Sequence, residues 1–302
     1  MILKPRLPLR LVVRRTWDEA VWILLACGAA YFGDRYLLDD HFDLPAVVPP
    51  LLGTALAFFI GFSNAQAYGR WWEARTIWGA IVNESRSWAR ECIYYVRDGE
   101  ELAIARRLTY RHIAFVYALK AYLREEPPGS CDEVFRRYLD EPERTQLQGK
   151  QNKHNALLDW QSRDLQQLCD EGRIDGYRFL QLDRRITNLC DEMGKSERIR
   201  NTVFPPTYNY YTQMFVWVFI VSVTIVLVNG IGAYGILPAF VLGYVFVVTQ
   251  GIGLRLLNPF EHLMSGTPLD QISRGIEITL LEMLGETDLP EPVRSVDGIY
   301  VT

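Results

Sequence analysis

Residues 201–254 contain no Asp, Glu, Lys, Arg or His, an uncharged run of 54 residues. One bilayer crossing takes only about 20 residues, because the hydrocarbon core is about 30 Å thick. A soluble domain does not keep so long a stretch free of charge, since each of its surface elements has a wet face. Residues 44–69 form a second uncharged run, and residues 20–33 a shorter third. The missing charge is concentrated between these runs: residues 70–200 hold 23 of the 32 basic and 22 of the 36 acidic side chains. This segregation predicts an all-α integral membrane protein with a large polar block outside the bilayer.

The long run divides at Asn229-Gly230-Ile231-Gly232 into spans near 211–228 and 237–254. With the two earlier runs this makes four transmembrane helices per subunit. The predicted organisation is a basic N-terminal arm over 1–15, transmembrane helices 1 and 2 within 16–69 (the second over about 50–69), and a helical domain over 70–210. Transmembrane helices 3 and 4 follow within 211–256, then a C-terminal helix and tail over 257–302. Thr16-Trp17-Asp18-Glu19 has capping-box spacing and predicts the start of the first helix. Cys27-Gly28-Ala29-Ala30 runs into bulky Tyr31 and Phe32, so this helix reads as retained rather than cleaved. Pro45, Pro49 and Pro50 suit the first turn of the second helix, which continues towards Trp72. In the polar block, Ile77, Ile81, Trp88, Cys92 and Tyr95 lie near helical spacing, as do Ile104, Leu108, Ile113, Val116 and Leu119. Further amphipathic helices are predicted over about 155–170, 177–193 and 269–284, the last followed by a Pro/Glu-rich tail expected to wrap or fray.

Lys4, Arg6, Arg10, Arg14 and Arg15 precede the first span without an acid among them, whereas residues 34–43 carry four aspartates and one arginine. By the positive-inside rule the N-terminus is cytoplasmic, and four crossings return the C-terminus to the same side. The expected location is the inner (plasma) membrane, multi-pass, with 70–210 also cytoplasmic.

Several function classes find no support. A net charge of −4 offers nothing to nucleic acid. The five cysteines are scattered without CxxC spacing and the four histidines are isolated, so neither metal nor cofactor is predicted. No phosphate loop or nucleophile elbow is present. Asp183, Asp191 and Glu192 stand among Arg184, Arg185, Lys195 and Arg198, the pattern of solvated helix charge rather than of an acid/base set. No catalytic residue is assigned, and the chain is not predicted to be an enzyme.

The second span carries the functional signal. Gly53, Ala57, Gly61 and Ala65 form a ridge of small residues at four-residue spacing, which lets membrane helices approach closely. Beside it run Thr54, Phe58 and Phe62, with Gln66 one turn further. Ridges packed around a ring would turn this neighbouring row to the axis, while the same phenylalanines also suit contact with lipid or adjacent helices. Ser63, Asn64 and Gln66 add polar groups at the end of an otherwise apolar helix, where lipid exposure is costly.

Phe59-Ile60-Gly61-Phe62 followed by Arg70-Trp71-Trp72, then Phe204-Pro205-Pro206-Thr207-Tyr208 before the third span and Asn258-Pro259-Phe260 after the fourth, together resemble the bestrophin family over nearly the whole chain. The resemblance, closest to short bacterial members, implies a homopentamer of identical subunits in the lipid bilayer with one central pore. It implies a pore neck at Thr54, Phe58 and Phe62, the row already marked by spacing, with Gln66 below it. It also implies a cytoplasmic constriction at Tyr177. Relatives carry an aliphatic residue at the constriction and a fully apolar neck, so Tyr177 and Thr54 are departures. Animal members continue from the Asn-Pro-Phe motif into an acidic calcium clasp. Here Glu261-His262-Leu263-Met264-Ser265 supplies one carboxylate, too few for an ion that takes six to eight oxygens. The function implied is a channel for monovalent ions, chloride or another anion first. The alternatives are a sodium- or potassium-selective homologue, and a membrane scaffold or signalling adaptor that conducts nothing.

Overall fold

The structure, a computed structural model, describes residues 9–37, 44–96, 102–296 and 298–302. Lys4 and Arg6 of the basic arm, and Asp39, Asp40 and Asp43 of the acidic loop, lie outside the described residues. The helices are α1 (Leu9–Leu37), α2 (Val48–Tyr95), α3 (Ala103–Arg124), α4 (Asp132–Tyr138), α5 (Glu141–Gln148), α6 (Lys153–Asp170), α7 (Gly176–Asn201), α8 (Pro206–Ile231), α9 (Ile236–Leu256) and α10 (Leu269–Met283). Among the described residues the only β feature is an isolated bridge between Val296 and Tyr300. The chain divides into two compact units.

The apolar unit comprises Lys4–Trp71 and Val203–Asn258. Its helices α1, α8 and α9 pack on one another, and Ile23, Leu56, Ile60, Phe219 and Ile220 form the centre of its core. Val48–Tyr95 and Pro206–Leu256 are the stretches long and apolar enough to cross a membrane among the described residues. α1 is not one of them, since its uncharged part covers only residues 20–33. A 3₁₀ turn over Gly232–Gly235 breaks the second stretch into α8 and α9, slightly later than the break predicted at 229–232. Gly232 has φ +65°, and a Cβ on Gly235 would lie 2.6 Å from the Leu227 carbonyl, so both positions require glycine.

The start of α1 and the end of α2 differ from prediction for physical reasons. Thr16 is not a cap: α1 begins upstream at Leu9, and the buried Thr16 hydroxyl is hydrogen-bonded to that of Tyr244 at 2.7 Å. α2 does not end near Trp72 but continues unbroken for 48 residues to Tyr95. No proline follows Pro50 until Pro127, so nothing in the sequence stops the helix.

The polar unit comprises Trp72–Thr202 and Pro259–Thr302. Trp78, Trp88, Phe115, Leu119, Leu157 and Phe260 are fully buried in its core. α3 is central, packed against α4, α6, α7 and α10. Buried Arg111 ties α5 and α6 to it by pairing with Glu143 and, at 2.8 Å, with Asp164. α10 docks through two carboxylates. Asp270 takes Lys120 at 2.9 Å and Arg124 at 2.5 Å. Buried Glu277 accepts from the hydroxyls of Tyr117 and Tyr138, each at 2.5 Å. Burial, followed by the Glu277 carboxylate, pushes both phenols up. The C-terminal tail wraps rather than frays: the Thr302 carbonyl accepts from the Gln271 amide at 2.9 Å, and Glu286 accepts from Arg106 and Tyr110 at 3.0 Å. α7 continues past its predicted end at Met193 because Ser196 and Ile199 prolong its buried stripe.

Candidate pore-lining face

Within the apolar unit, α2 turns one face inwards and leaves the other bare. Leu56, Ile60 and Ala67 are buried against the core. A helix turns about 100° per residue, which puts Thr54, Phe58 and Phe62 on the opposite side, and all three are exposed. Phe58 is 73% and Phe62 51% exposed, although both are large and apolar. Gln66 is exposed one turn beyond. Ala57, Gly61 and Ala65 share this outward side, and a Cβ placed on Gly61 would meet nothing within 4 Å. The structure therefore brings the four row residues and three of the four ridge residues onto one exposed face of the subunit, while Gly53 is half-buried against the ring of Phe219, 3.0 Å from where a Cβ would stand.

Thr54 does not hold its hydroxyl hydrogen outwards. The hydroxyl donates to the Pro50 carbonyl at 2.8 Å, leaving oxygen lone pairs and a methyl group free. Phe58 packs edge-to-face on Phe59, with ring centroids 6.1 Å apart. Asn64 departs from the expected grouping with Gln66. It is half-buried, and its side-chain amide donates to the Thr249 carbonyl of α9 at 2.9 Å. Its polarity serves helix packing inside the subunit, and the row keeps Gln66 as its polar member.

Tyr177 belongs to the polar unit, in the first turn of α7. Asp175 caps that turn, accepting from the amides of Tyr177 and Arg178 at 3.0 Å. Arg178 donates to the Tyr95 carbonyl at 3.1 Å and covers its ring at 5.8 Å. This anchored turn projects Tyr177 outwards, 90% exposed. Glu192 accepts from Lys195 at 2.7 Å, as ordinary surface pairing on α7 predicts.

Sequence reasoning missed an aromatic groove beside the row. Phe59 and Phe62 of α2 line it with Phe204, Tyr208, Tyr211 and Phe215. The Tyr208 phenol donates to the Phe59 carbonyl at 2.9 Å, fixing α8 to the helix that carries the row. The spacing of residues 204, 208, 211 and 215 was the available signal.

A family model described as "Bacterial/Fungal Bestrophin protein" matches residues 10–282. A voltage-dependent anion channel-forming protein of Ralstonia nicotianae is 29% identical over 239 residues, covering 79% of this chain and 77% of the relative. One from Escherichia coli is 28% identical over 255 residues, covering 84% and 82%. The crystal structure of a bacterial bestrophin homolog from Klebsiella pneumoniae superposes with a TM-score of 0.82 at 25% identity, covering 89% of this chain and 98% of that one.

Proposed function

The chain belongs to the bestrophin family, and on that footing we propose that it is an ion channel rather than an enzyme, conducting monovalent anions, chloride first. The reading has four spans per subunit (within 16–69 and 211–256), helical cytoplasmic parts (70–210 and 257–302), and both termini on the cytoplasmic side of the inner membrane. Five copies surround one pore, whose neck is Thr54, Phe58 and Phe62, with Gln66 below it and a second constriction at Tyr177.

The observation that carries this reading is the outward face of α2, where two large aromatic residues stand exposed beside small residues that invite a neighbouring helix. A four-residue step advances about 40° around a straight helix, so α2 must cross the pore axis obliquely to keep the row inwards. A bare ion entering an apolar ring faces an idealised cost of about 20 kcal/mol. The neck therefore conducts only when wide enough to stay wet, and closes by dewetting. The anion is favoured because relatives are named as anion channel-forming proteins.

One observation favours the cation-selective alternative. With its hydrogen committed to Pro50, Thr54 offers a passing ion lone pairs, which solvate cations. Purified protein in vesicles under a potassium chloride gradient decides the matter: a reversal potential near that of chloride supports the anion reading, one near potassium the cation reading. No current under any gradient leaves the adaptor.

A further inference from the structure

We propose that the N-terminal end of α1 is a binding site for an anionic phospholipid, with Arg10 and Arg14 on the headgroup phosphate; this rests on the membrane reading above. Arg10, Val13, Arg14 and Trp17 line one groove. At 3.6 residues per turn they share a face of α1, and Val21, Leu24 and Leu25 continue that face down the helix. Trp17 is 62%, Leu24 54% and Leu25 56% exposed, while Ile23 and Cys27 on the other side are buried in the core.

The order along this face is the order within a phospholipid. Two guanidiniums come first, then an indole, which prefers the boundary between headgroups and chains, then an apolar stripe. Leu25 lies eight residues beyond Trp17, about 12 Å at the helical rise, within the roughly 15 Å depth of one leaflet. Charge selects an anionic lipid. Among the described residues no carboxylate pairs with Arg10, Arg14 or Arg15. Of the nearby acids, Glu19 turns to Arg255 at 3.7 Å, and Asp18, one turn from Arg14, has no ion pair with either arginine among the described residues. Arginine also matches phosphate geometry with two parallel donors.

The test is native mass spectrometry of the full-length protein released from vesicles of equal phosphatidylglycerol and phosphatidylcholine. Each arginine near the surface contributes roughly a fivefold preference for anionic lipid. The native protein should retain phosphatidylglycerol by at least that factor, Arg10→Gln/Arg14→Gln should retain both lipids alike, and Arg10→Lys/Arg14→Lys should keep most of the preference. Equal retention by the native protein, or an unchanged preference in the glutamine variant, overturns the proposal. So does displacement of the lipid by inorganic phosphate at matched concentration, or cross-linking between copies through Trp17→Cys in the bilayer. Failure of the native protein to enter vesicles would bring down the membrane reading as well, a distinguishable result.

Discussion

The side-chain amide of Asn64 donates to the main-chain carbonyl of Thr249 across 2.9 Å, joining α2 to α9 beside the one residue type that leaves room for it. That residue is Gly253, where an added Cβ would lie 1.9 Å from the Asn64 amide oxygen. The contact fixes the rotation of α2, and with it the direction in which Thr54, Phe58 and Phe62 point.

Gly253→Ala should therefore destabilise the detergent-purified protein by about 1–2 kcal/mol, the worth of a displaced interhelical hydrogen bond. Adding Asn64→Ala should restore much of the loss, because it removes the clashing group. Thermal unfolding of the two single variants and the double variant measures this; strictly additive losses would show that the residues do not compete for the same space.

His112 supplies a pH signature in the polar unit. Its Nε2 lies 2.8 Å from the Ser85 hydroxyl, which itself donates to the Ile81 carbonyl, so the imidazole is the donor between them. Burial holds its pKa down, from 6.5 to about 3. The unfolded chain takes the proton first as pH falls, so stability is lost progressively below about 6.5 and the loss levels off near 3, at up to about 1.4 kcal/mol per pH unit. His112→Leu should remove this share of the slope and leave that of His154, which burial also lowers. Unfolding midpoints across this range provide the check, and an identical slope in the variant would refute it.

Much of the apolar unit was legible because charge is segregated along the chain, and the row on α2 because i, i+4 spacing survives without any partner. What escaped depends on distant residues or on the absence of a signal. Arg70, Glu73 and Arg75 mark where the apolar run ends, but charge does not end a helix, and α2 runs on to Tyr95. Thr16 and Glu19 have the spacing of a cap, yet the same spacing recurs inside helices, and only Tyr244 shows which applies here. Asn64 read as a pore residue because its acceptor, Thr249, lies 185 positions away.

Glu277 should prove to be the anchor of α10. It satisfies two buried tyrosine hydroxyls and pairs with Arg274 at 3.1 Å. Glu277→Ala would strand those donors and cost about 3 kcal/mol. Hydrogen exchange over residues 269–283 should accelerate in the variant before the rest of the polar unit responds; uniform exchange throughout the unit would argue against a local anchor.

Thr54→Val keeps the shape of the neck and deletes the oxygen bonded to Pro50. If that oxygen favours cations, reversal potentials under a salt gradient should move towards the anion equilibrium, with conductance little changed. A shift in the opposite sense would mean that Thr54 contacts the ion through its hydrogen.

The most direct trial is single-channel recording in planar bilayers of the native chain beside Phe58→Ala and Phe62→Ala. If the exposed row of α2 is the wall of a shared pore, truncating either ring should raise conductance or open probability several-fold, and truncating both should raise it further. Native-like currents in both variants would remove these side chains from the ion path.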